Sequence, residues 1–93
     1  MTGEEFDKIT APVRDLIAAK AADYNHAVKL EEYFPFHDRS YVQMCYMKAM
    51  RMRSLVQQDR KPNFDSIKDT AQDLLAYTVF YLDYLEKKNA TSV

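Results

Sequence analysis

One glycine, one cysteine, three prolines and no tryptophan in 93 residues leave this chain short of several structural devices. Tight β-hairpins need positive-φ positions, usually filled by Gly or Asn-Gly, so a chain with almost none is a poor candidate for strands. A lone cysteine makes no internal disulfide, which removes the stapled secreted scaffolds. No apolar run approaches the ~20 residues of a membrane span. The opening MTGEEFDK also has no apolar signal segment, so a soluble cytoplasmic protein with no membrane partner is expected. Charge of one sign is lacking too. The 13 basic and 14 acidic residues leave a net charge of -1, which excludes a generally polybasic binder of long nucleic acid. The 47% hydrophobic content argues against disorder, and the length suits a single domain over 1–93.

What is present is helical period. A first helix is expected over about 10–30, with Thr10 as N-cap and Pro12 in the first turn, where a missing N–H costs little. Residues 2–9 would form a short lead-in. Val13, Leu16, Ile17, Tyr24, Ala27 and Val28 give this helix its apolar face. The segment Tyr33-Phe34-Pro35-Phe36-His37-Asp38 reads as an apolar loop. A second helix over about 40–58 presents Tyr41, Met44, Cys45, Lys48, Met52, Leu55 and Val56 on one face. Val42, Tyr46, Ala49, Met50 and Arg53 fall on the adjoining one. A third, over about 66–88, would be capped by Asp65 or Ser66, with Asp69 completing an approximate capping box. Ile67, Ala71, Leu74, Leu75, Thr78, Leu82 and Leu85 read as its inner stripe, and residues 89–93 should fray.

The polar joint at 57–63 is short, so helices two and three should form an antiparallel hairpin packed with the first helix. The fold class is all-α. Helix three carries a second stripe, Asp73, Tyr77, Phe80 and Tyr84, and four of the five methionines crowd residues 44–52. So much apolar surface on a small helical domain favours completion by homo-oligomerisation over a wholly internal core.

Three constellations carry chemistry. Asp69 and Asp73, one turn apart, can share a hard cation such as Mg²⁺, with Glu31 or Glu32 adding oxygens. The simpler and favoured alternative gives Asp69 to the helix N-terminus and Asp73 to a base on the facing helix. Lys48 and Arg51 suit a phosphate, although Arg51 could instead pair with Asp73. Lys20, Asp23, Tyr24 and Asn25 join a cation and an aromatic ring on one helix, a grip for phosphate and base. His26, His37 and Cys45 lack companions at metal-ligand spacing, and Cys45 reads as a small buried apolar residue.

K-x-x-D-Y-N at 20–25, the aromatic loop at 33–36, K-x-x-R at 48–51 and D-S-I-x-D-x-x-x-D-x-x-x-Y from Asp65 to Tyr77 together resemble the nucleotide-modification-associated domains of phages and bacteria. Those small helical proteins are grouped with the MazG-like all-α NTP pyrophosphatases. The resemblance spans roughly 16–85. Asn25 stands where the family often has Gly and is the best substitute if a left-handed turn is needed. The metal set E-x-x-E plus E-x-x-D is missing, which favours binding over hydrolysis.

The resemblance implies a nucleotide ligand held by Lys20, Asp23, Tyr24, Lys48, Arg51 and Tyr77, with Asp69 and Asp73 as metal residues if Mg²⁺ takes part and the 33–36 loop closing over the site. The expected function is phage-type nucleotide capture without catalysis and without a required cofactor, with sequestration of a defence signal in the host cytoplasm as one role. The alternatives are a Mg²⁺-dependent NTP pyrophosphohydrolase and a protein-interaction module that inhibits a host protein.

Overall fold

The computed structural model describes residues 1–58 and 64–91, with side chains for all of these except 64, 65 and 91. Among them the chain is all-helical, with α1 Gly3–Tyr24, a 3₁₀ turn Leu30–Tyr33, α2 Asp38–Gln57 and α3 Phe64–Thr91. Two compact units divide it, Met1–Pro35 and Phe36–Val93.

In the N-terminal unit α1 starts seven residues earlier than expected, at Gly3 rather than Thr10. Thr2 supplies the cap: its hydroxyl accepts from Glu5 N at 3.1 Å, and Glu4 and Glu5 meet the positive end of the helix dipole. Thr10 instead donates back to the Phe6 carbonyl at 2.9 Å. Pro12 lies well inside the helix, so the lead-in and the main helix are one element.

The helix ends at Tyr24, not near Leu30, because Asn25 closes it. The Asn25 backbone N–H and its side-chain Nδ2 both donate to the Ala21 carbonyl, at 3.0 and 2.9 Å. Its Oδ1 accepts from Leu30 N at 2.7 Å, which ties the helix end to the 3₁₀ turn. Asn25 has φ −92°, so the expected left-handed turn is absent there and hydrogen bonding is what Asn contributes. Ala27 and Val28 lie beyond α1 and are exposed. The 3₁₀ turn itself is held by Glu32, whose carboxylate accepts from Lys29 N at 2.8 Å.

The second unit is the expected antiparallel hairpin of α2 and α3, and its pairs fix the register. Tyr41 meets Tyr81 and Tyr84, the Cys45 sulfur lies 3.6 Å from the Thr78 hydroxyl, and Lys48 reaches Asp73. Cys45 is therefore half-buried beside a polar partner and is not a purely apolar filler. Of the joint expected at 57–63, Gln57 ends α2 and Gln58 follows it, and residues 59–63 lie outside the described residues. α3 begins by Phe64, which puts Ser66 inside the first turns and overturns its role as N-cap. The Ser66 carbonyl accepts from the buried Thr70 hydroxyl at 2.7 Å. Residues 89–91, expected to fray, continue the helix.

The inner stripe of α3 is also different. Ala76, Tyr77 and Phe80 are buried, whereas Ala71, Leu75, Leu82 and Leu85 are exposed. Both stripes are apolar, so period alone does not choose between them. Packing favours the aromatic one, since each ring removes about 150–250 Å² from water at about 25 cal/mol per Å².

Candidate functional site

The hairpin gathers four of the sequence-predicted residues: Lys48, Arg51, Asp73 and Tyr77. About two turns past Tyr41, α2 aims Lys48 at α3, where its ammonium lies 3.3 Å from an Asp73 oxygen. Both side chains keep about a quarter of their exposure, so this is a half-wet ion pair. The same ammonium stands 6.0 Å from the centre of the Tyr77 ring, a cation–π distance. Lys48, not Arg51, is thus the partner of Asp73. The reason is register: Lys48 is level with Asp73, and Arg51 lies almost a full turn further along α2, beyond that level.

Arg51 instead lines a surface recess of about 320 Å³ with Met44, Met47, Lys48, Ser54 and Leu55. That volume falls at the small end of the usual ligand-site range. Arg51 makes no ion pair or side-chain hydrogen bond among the described residues. The recess therefore joins flexible apolar side chains, a guanidinium and the flank of a shared ammonium.

Tyr77 is buried and meets Phe80 edge-on at 6.0 Å, so its ring props Lys48 and offers no open face for a base. Asp69 is exposed, and Asp73 faces Lys48. Among the described residues no group of three or more His, Cys, Asp or Glu is placed to hold a metal ion. Lys20, Asp23 and Tyr24 belong to the N-terminal unit, where Tyr24 packs on Tyr33 with ring centres 4.9 Å apart. In the 33–36 loop Phe34 is buried, while Tyr33 and Phe36 are exposed.

Sequence reasoning missed a second cluster, where α2 begins and α3 ends. His37, Tyr41, Tyr81 and Tyr84 stack with centre distances of 5.0–6.2 Å. The Tyr81 hydroxyl donates to Asp38 at 3.2 Å, and the Lys88 ammonium lies 3.5 Å from the same carboxylate. Burial pushes the Tyr81 phenol above its ordinary range. The Asp38 carboxylate adds to this by accepting its proton and repelling a phenolate, and Lys88 partly opposes it. The available signal was Tyr41 at one helix start with Tyr81 and Tyr84, three apart, at the end of its antiparallel partner. Period analysis put Tyr41 on one face of the second helix and Tyr84 in the second stripe of the third, and gave Tyr81 no face.

No known family model, curated protein or solved structure matches the chain. A functional reading therefore rests on the chemistry of the hairpin.

Proposed function

We propose that the hairpin captures a nucleotide through its phosphate, with Arg51 as the principal anion ligand and Lys48 as the second, and without chemistry on the bound molecule. The observation that carries this reading is the Arg51 guanidinium, unpaired among the described residues, beside Lys48 in a methionine-lined recess. Guanidinium binds phosphate bidentately, and each charge-assisted bond contributes about 1.5–3 kcal/mol. The Lys48–Asp73 pair is too exposed to contribute more than about 0–1 kcal/mol, so a phosphate can recruit Lys48 at little cost. Met44 and Met47 are adaptable enough to take a base or ribose against the helix. That the nucleotide is a defence signal taken by a phage-type protein is suggested by the motif resemblance alone.

Thermal melting against linear and cyclic nucleotides, each with and without Mg²⁺, tests the reading. A ligand at ~100 times its dissociation constant adds ~2.7 kcal/mol, several degrees for a domain this small. Calorimetric titration of Arg51→Ala should then show affinity reduced by about 10–100-fold with the helices intact. Unchanged affinity in that variant removes Arg51 from the site.

A further inference from the structure

Among the described residues, one apolar side of the hairpin is largely exposed. α2 meets α3 through Tyr41, Cys45 and Lys48, and α3 meets α2 through Asp73, Thr78 and Tyr81, with Leu74 one turn before Thr78 on the same row. One step along either helix turns the side chain by about 100°. Because the two helices are antiparallel, that step leads to the same side of the pair in both. On this side α2 places Val42, Tyr46 and Ala49, and α3 places Leu75, Val79 and Leu82. Val42, Tyr46 and Leu82 are 53%, 60% and 55% exposed. The recess holding Arg51 opens on the other side.

We infer that this side is covered by a second copy of the chain, giving a two-fold four-helix bundle in which α2 of one copy lies over α3 of the other. Charge selects the occupant. The hairpin register puts Val42 level with Leu82, Ala49 with Leu75 and Arg39 with Glu86, within a residue or two. Arg39 and Glu86 are exposed, and neither makes an ion pair among the described residues.

A two-fold axis parallel to the helices sets Arg39 against the partner's Glu86 and Glu86 against the partner's Arg39, with Val42 on the partner's Leu82 between them. Tyr46 then meets the partner's Val79, and Ala49 the partner's Leu75, so large side chains fall opposite smaller ones. Arg53 and Lys68 are the other cations on this side, and Arg53 is turned along its own helix by its bond to Gln57. Such an interface is isologous and closes at two copies.

Sedimentation velocity of the whole chain from low to high micromolar concentration tests the inference. The expected result is a dimer that becomes monomeric in Leu82→Glu and in Tyr46→Glu. Both positions are exposed, so helicity by circular dichroism should be unchanged. Arg39→Glu alone should raise the dissociation constant at least about tenfold, through facing like charges. Adding Glu86→Arg should restore it. A monomeric parent chain, a dimer that survives both apolar substitutions, or a double charge reversal that stays as weak as the single one overturns the proposal.

Discussion

His37 carries the one positive φ among the described non-glycine residues, 57° with ψ −125°. That region suits glycine and costs other residues about 1–3 kcal/mol. The chain accepts the cost because this corner launches α2: the His37 carbonyl takes Ser40 N at 3.0 Å and Tyr41 N at 3.3 Å, and the Ser40 hydroxyl accepts from Phe36 N at 2.8 Å. Glycine and alanine replacements both remove the ring that stacks on Tyr84, but only alanine keeps the strain. His37→Gly should therefore exceed His37→Ala in stability by about 1 kcal/mol or more, read from urea midpoints. Asp73 offers a second test at this scale. Under capture, Asp73→Asn frees Lys48 and tightens nucleotide binding up to about fivefold, the equivalent of ~1 kcal/mol. Under metal-dependent hydrolysis the same change weakens it, so the direction in a calorimetric titration separates the two. The pairing itself was only half legible: the sequence offers Asp73 a base on the facing helix, but Lys48 and Arg51 differ by less than a turn, and only packing decides which one faces α3.

At the scale of elements, three helices and an antiparallel hairpin were legible from the scarcity of glycine and the spacing of apolar residues. Boundaries were less so. Thr10-x-Pro12 imitates a helix start, yet Thr2 with Glu4 and Glu5 is the better one. The consequence is a proline in the interior of α1, without the N–H that the Lys8 carbonyl would otherwise accept. Pro12→Ala should raise stability by about 1–3 kcal/mol, after allowing for the freer unfolded chain, and should do so without changing helix content by circular dichroism. The stripes of α3 were legible as a pair but not in their order. Leucines and aromatics at matching spacings look alike in sequence, and which set faces inward depends on how much area each removes from water.

On the scale of the molecule, the Tyr81–Asp38–Lys88 group joins the start of α2 to the end of α3 and so couples the hairpin to pH. The folded chain holds the Tyr81 proton more tightly than the unfolded chain does. The resulting stabilisation is complete below the ordinary tyrosine value of about 10 and is lost as pH rises through it towards the folded pKa. Tyr81→Phe should remove one alkaline-shifted component of tyrosine ionisation, followed by absorbance at 295 nm, and should make melting temperature fall less steeply above that pH. Candidate-site residues were legible as types but not as an assembly. Lys48 and Arg51 stand out as cations in an apolar helix, whereas the recess between them exists only once α2 is coiled.

The order in which the chain is made gives the aromatic junction a further meaning. The N-terminal unit is tied by a bond spanning only five residues, Asn25 to Leu30, and so is complete early. Tyr41 leaves the ribosome 40 residues ahead of Tyr81. At about 5–20 residues per second, that is roughly 2–8 s. Throughout that interval the methionine-rich α2 lacks its hairpin partner. The Tyr41 face of nascent α2 therefore stays open until Tyr81 and Tyr84 arrive to close it.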